Sequence, residues 1–180
     1  AERVIREGMV SALRTFYATG ATRSHAFRTR QLQALSRAIM VHEEKLLHAL
    51  HADLRKSGPE AYASEIGLVQ TDITYALRNL RHWMRPRRVR GPLLTWPSRG
   101  AVCPEPYGSA LIIGPWNYPV HLLLTPLVGA IAAGNCVCLK PSELAPATSR
   151  AVADLVRDAF PPDYISVAEG GRETAQQLLA

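Results

Sequence analysis

Ala110-Leu111-Ile112-Ile113-Gly114-Pro115-Trp116-Asn117-Tyr118-Pro119 and, further along, Cys136-Val137-Cys138-Leu139-Lys140-Pro141-Ser142-Glu143 decide how this chain is read. Each begins as an uninterrupted apolar run that reads as a buried strand. Each ends abruptly in polar and turn-forming residues. Between them lies an apolar segment long enough for one helix. Two buried strands joined by a helix make a βαβ unit, and open parallel sheets bind ligands at the carboxyl ends of their strands. Gly114 to Pro119 and Lys140 to Glu143 mark that edge.

The alternation continues along the chain. Strands are expected over 109–113, 135–140 and 164–168, with helices near 119–133, 146–160 and from 172 onward. Pro146 suits the first turn of a helix. Short links between alternating elements place the chain in the α/β class, with a partial Rossmann-like parallel sheet (βαβαβα) and right-handed crossovers. The preceding half reads helical. One helix covers roughly 2–18 and ends near Gly20. Leu32, Leu35, Ile39, Leu46, Leu50 and Leu54 recur at three- and four-residue steps, with a gap partly spanned by His42 and Glu43. Gly58-Pro59 reads as the stop of that helix. Tyr62, Ile66, Val69, Ile73, Leu77, Leu80 and Met84 form a second stripe, closed by Pro86. Gly91-Pro92 and Trp96-Pro97 punctuate a loop, and Arg99 to Pro106 reads as a short extended segment. The chain thus divides into a helical stretch (1–90), a loop with short β structure (91–107) and the start of the sheet domain (108–180).

At 180 residues, with 47% hydrophobic and 20% charged residues, the sequence is that of an ordinary globular protein. Its formal charge of +6 raises the question of nucleic acid. Much of the excess sits in Arg85-Pro86-Arg87-Arg88-Val89-Arg90, which lacks interleaved aromatics and any binding motif and reads as a solvated loop. A positive balance also attracts anionic ligands, a dinucleotide among them. Cys103, Cys136 and Cys138 make neither a disulfide framework nor a metal site. Cys136 and Cys138 share one strand face and read as small buried apolar residues. His48 and His51 lack the further ligands that a metal would need. No apolar stretch reaches the ~20 residues of a membrane span, and Ala1-Glu2-Arg3 does not open a signal peptide. A cytoplasmic setting is expected.

The dinucleotide fingerprint Gly-x-Gly-x-x-Gly is absent after the first strand. Asn117 sits at that strand's end, where an amide can donate to a developing oxyanion, or serve simply as a turn residue. Lys140 and Glu143 close the second strand, where nucleotide folds commonly read a ribose with a carboxylate. A solvated pair of strand-end charges is the plainer alternative. Trp116 fits either a ligand groove or the core.

Taken in order and spacing, Pro115 to Pro119, Pro126 to Asn135 and Lys140 to Glu143 resemble the aldehyde dehydrogenase superfamily, and within it the class 3 branch. The likeness extends back through Glu65-Ile66 and His51 to Lys56. The resemblance implies a dinucleotide held without the glycine turn. Pro115 and Trp116 would line the cofactor groove, and Lys140 and Glu143 would bind the adenosine ribose of NAD, with NADP also accepted. Asn117 would stabilise the oxyanion formed when a cysteine attacks an aldehyde, on the way to a thioester and a carboxylic acid. The family's nucleophilic cysteine, general-base glutamate and glycine-rich Phe-Thr-Gly-Ser-type segment have no counterpart here. The chain accordingly reads as an N-terminal portion without the catalytic domain. The stretch 91–107 would belong to an oligomerisation element, and the complete enzyme to a homodimer. Any C-terminal membrane anchor, found in some relatives, would lie outside this sequence. A truncated, noncatalytic paralogue acting as a binding module is the rival expectation.

Overall fold

The computed structural model describes residues 2–91, 94 and 97–179, with side chains from Gly8 onward. The loop punctuation at Pro92 and Trp96 lies outside the described residues, as do Ala1 and Ala180. Helix α1 spans Glu2–Ala18, followed by α2 (His25–Val41), α3 (Glu43–Leu54), α4 (Gly58–Ala61) and α5 (Gly67–Trp83). A π-helical turn, Tyr62–Ile66, makes α4 and α5 one continuous run. A ribbon of β1 (Arg87–Val89) and β2 (Gly100–Val102) follows. The sheet domain is β3 (Ser109–Ile113), α6 (His121–Ala133), β4 (Cys136–Lys140), α7 (Pro146–Ala159), β5 (Ile165–Val167) and α8 (Arg172–Leu179).

Strands β3, β4 and β5 form a parallel sheet in that order, with Ser109 opposite Cys136 and Val137 opposite Ile165. Every residue of β4 is buried, as the apolar run Cys136 to Leu139 suggests, and so is Lys140 at its end. The α/β class and the βαβαβα order therefore hold. Helices α6 and α7 pack against the strands, and α2 lies across both, with α3 on α7 and α5 on α6. Helix α1 packs on β3 and β4, where the Cys138 thiol meets the Met9 sulfur at 3.6 Å. The core is continuous from the helical half, through Leu32, Leu35 and Ile73, to Leu124 and Leu139. The helical half is thus an outer layer of the sheet domain.

Three local readings need correction. The stripe from Leu32 to Leu54 belongs to two helices, because His42 leaves helical geometry (φ −94°, ψ 5°) where the apolar spacing lapses. Gly58-Pro59 begins a helix instead of ending one. The Ser57 hydroxyl accepts from the Glu60 N–H, and proline occupies the first turn, where its missing N–H costs nothing. The stop comes earlier, at Arg55, in the left-handed region at φ 57°. Within the arginine run, Arg87, Arg88 and Val89 are an exposed strand paired antiparallel with Val102, Ala101 and Gly100.

One turn depends on glycine. Gly134 ends α6 at φ 89°, and a Cβ there would meet the Arg28 guanidinium at 2.5 Å. Arg28 is buried, donating to the Thr22 and Ala132 carbonyls at 2.9 and 3.0 Å, so it ties α2 to the last turn of α6. The adjoining Asn135 side chain accepts from the Gly108 N–H at 2.9 Å and sets the start of β3 beside β4.

Candidate active site

Two of the loops at the carboxyl edge of the sheet carry the candidate residues, one leaving β3 and one leaving β4. The Gly114 N–H donates to the Lys140 carbonyl at 2.9 Å, so the loops part at adjacent points. Gly114 is buried, and a Cβ on it would lie 2.9 Å from Leu123 Cδ1. That close approach keeps the first turn of α6 under the loop.

Pro115, Trp116, Asn117 and Tyr118 are exposed on this edge, and Pro119 and Val120 are buried beneath them. Trp116 is 52% exposed, which excludes a core role within this chain. Its sequence neighbours thus present an open apolar and amide surface. Val120, the residue that precedes helix α6, provides no capping side chain. The cap comes from Glu65 in the π-helical turn: one carboxylate oxygen accepts from the Val120 and His121 N–H groups at 2.8 and 3.3 Å. The other oxygen holds Lys56 Nζ at 2.5 Å, and Glu65 is fully buried. A buried carboxylate at a helix N-terminus is stabilised by the unpaired N–H groups and the helix dipole, and the ammonium supplies its counter-charge. Lys56 also donates to the Asn117 carbonyl at 3.3 Å and lies 4.0 Å from the centre of the Tyr118 ring.

The second loop repeats the construction. Ala145, which precedes helix α7, again provides no capping side chain. Asp53, near the end of α3, accepts from the Ala147 N–H at 3.2 Å, the Thr148 N–H at 2.7 Å and the Thr148 hydroxyl at 2.8 Å. Lys140 is buried and Glu143 partly exposed, and Lys140 Nζ donates to Glu143 Oε2 at 2.5 Å. That hydrogen bond holds the Glu143 carboxyl below its ordinary range, with the loop's own backbone helping. Lys140 is not the solvated charge of the plainer reading. Gly171, in the loop leaving β5, comes close enough that a Cβ there would touch Glu143 Oε1 at 3.9 Å.

All five residues singled out from the sequence therefore stand on one edge of the sheet, Asn117, Pro115 and Trp116 on the first loop and Lys140 and Glu143 on the second. Asp53, Lys56 and Glu65 had no structural task assigned from sequence, although they lie within the stretches that carried the family likeness. The thiols are elsewhere in character. Burial pushes Cys136 up to about 11 and raises Cys138 as well, which disfavours the thiolate that a nucleophile needs. Cys103 is exposed, just after the ribbon strand β2.

Residues 4–180 match the model of the aldehyde dehydrogenase family. An aldehyde dehydrogenase of Craterostigma plantagineum is 45% identical over 98% of the chain and 37% of its own length. Aldehyde dehydrogenase family 3 member B1 of Mus musculus is also 45% identical, over 96% of the chain and 37% of its own length. A solved structure described as the substrate-bound state of Staphylococcus aureus AldH superposes with a TM-score of 0.94 at 42% identity, covering 96% of the chain and 38% of that structure. The chain thus spans little more than a third of the relatives it matches. With that match over nearly its whole length and the same fold in a solved relative, the chain belongs to the aldehyde dehydrogenase family.

Proposed function

We propose that the protein carrying this chain oxidises an aldehyde to a carboxylic acid, with a nicotinamide dinucleotide as hydride acceptor. One observation carries the reading: Asn117 and the Lys140–Glu143 pair occupy neighbouring loops at the carboxyl edge of one parallel sheet. Ligands of open α/β sheets bind at that edge.

The residues of the second loop fit a dinucleotide. A partly exposed carboxylate accepts hydrogen bonds from the vicinal hydroxyls of a ribose, and a buried ammonium beside it donates to the same sugar. The negative Glu143 disfavours a 2′-phosphate, so NAD is preferred and NADP tolerated through Lys140. Pro115 and Trp116 offer exposed surface for the adjoining groove. When bound, the dinucleotide supplies the hydride acceptor.

The first loop fits the carbonyl chemistry. As a thiolate from outside this chain adds to an aldehyde carbon, negative charge gathers on the oxygen. The Asn117 amide donates a hydrogen bond to that oxygen, and such a donor is worth most where its orientation is fixed in advance. The exposed β1–β2 ribbon supports pairing of two copies in the complete protein. Sedimentation at the mass of a single copy would contradict the pairing.

The test uses the whole protein, aldehydes of different chain length and NAD, following the reduced nicotinamide. Asn117→Ala is expected to lower kcat by ~10²–10³. Turnover close to native would overturn the assignment. Glu143→Gln is expected to weaken NAD more than NADP, and an unchanged preference would remove the ribose role.

A further inference from the structure

Asn117 can act as a fixed donor only if its backbone is held, and the loop that carries it is short, exposed and rich in turn residues. It is clamped at its two ends by the Gly114 and Val120 N–H groups. Within it, the Tyr118 carbonyl accepts from the Leu122 N–H at 3.0 Å, and the Asn117 carbonyl accepts from Lys56 Nζ at 3.3 Å. We infer that Lys56 is a positioning residue for the proposed reaction, fixing the peptide of Asn117 so that its side-chain amide faces the reacting oxygen. This inference rests on the functional reading above.

The lysine is itself anchored from several directions. Its side chain is 11% exposed, and Glu65 Oε1 holds its ammonium at 2.5 Å. Its own carbonyl meets His51 Nδ1 at 3.1 Å, and it stands between the left-handed Arg55 and the capping Ser57. An ammonium has three N–H donors and no acceptor. Here it serves Glu65 and the Asn117 carbonyl, with the Tyr118 ring face at 4.0 Å. The same cation that neutralises the cap of α6 thereby fixes the residue exposed above it. A neutral side chain of similar length would fill the space and hold neither group. The Asn117 peptide is thus held from the helical half of the chain.

A counter-ion and a positioning group give different kinetics. Lys56→Met alone leaves Glu65 without its partner, so stability falls in either case. Lys56→Met combined with Glu65→Gln removes both charges and keeps an acceptor for the α6 N–H groups. In the whole protein, this pair of substitutions is expected to restore the unfolding midpoint toward native. It should still lower kcat roughly ten- to a hundredfold, the scale of a small misplacement of a reacting group. In an Asn117→Ala background the same pair should cost less than about twofold, because the donor being positioned is gone.

Recovery of kcat along with stability would overturn the inference, leaving Lys56 a counter-ion alone. An equal loss in the Asn117→Ala background would also overturn it, placing the effect elsewhere. Either result, obtained while Asn117→Ala by itself is strongly impaired, leaves the proposed function standing. Near-native turnover by Asn117→Ala alone would instead overturn the functional reading, and the positioning role with it.

Discussion

The loops that leave β3 and β4 are built alike and serve differently. Each leads into a helix whose preceding residue provides no capping side chain, and each receives a carboxylate from the helical half of the chain. Glu65 caps α6 from complete burial, and it brings a lysine that reaches the Asn117 carbonyl. Asp53 caps α7 from a half-buried position and takes a hydroxyl hydrogen bond along with two N–H groups. The second loop has its own charge pair, Lys140–Glu143, ahead of the helix. One architecture therefore gives a lysine-held Asn117 peptide at the first strand end and an accessible carboxylate at the second. The helical half is what makes the difference, since it decides how deeply each cap is buried and whether a cation travels with it.

The comparison breaks most visibly at Glu65. Glu65→Ala leaves the Lys56 ammonium without its carboxylate and strips the acceptor from two helix N–H groups. A loss of about 3–5 kcal/mol in unfolding free energy is expected, as for other broken buried pairs. Asp53→Ala removes a cap from a less buried site and should cost about 1–2 kcal/mol. Urea unfolding of the two variants, side by side in the whole protein, measures both. If Asp53→Ala proved the more damaging, the ranking by burial would be wrong.

A smaller effect sharpens the second loop. The folded-state pKa of Glu143 is depressed by Lys140, so its contribution to stability is complete above the ordinary glutamate range. It is lost as pH falls through the depressed folded value. Because the carboxylate is partly exposed, that contribution is modest and the clearer readout is dinucleotide affinity. Affinity should hold down to roughly pH 5 and decline only in stronger acid. A decline centred near neutral pH would show that another group controls binding.

Strand β4 was legible because Cys136 to Leu139 are an apolar run buried on both faces, and β3 carries a similar run although it is only partly buried. The edge was legible because Pro115 to Tyr118 and Lys140 to Glu143 interrupt those runs at the same level of the sheet. Gly58-Pro59 misled, since both residues punctuate helix ends as readily as starts. Ser57 with Glu60 three residues on was the available signal for a start. The break at His42 left only a lapse in spacing, and a three-residue exposed strand such as β1 leaves no apolar pattern at all. The caps were out of reach for a different reason. Glu65 and Val120 are 55 residues apart, and Asp53 and Thr148 are 95 apart. No local pattern records a pairing that only the packing of α3 and α5 against α7 and α6 creates.

The most direct test of this division of labour is a kinetic comparison of Asn117→Ala and Glu143→Gln in the whole protein, reading kcat and dinucleotide KM for each. The account predicts that Asn117→Ala loses kcat by ~10²–10³ while dinucleotide KM stays near native. It predicts that Glu143→Gln raises dinucleotide KM while kcat at saturating cofactor stays near native. If the two variants shifted kcat and KM in the same proportion, the edge would not be divided between its two loops, and the account would be wrong.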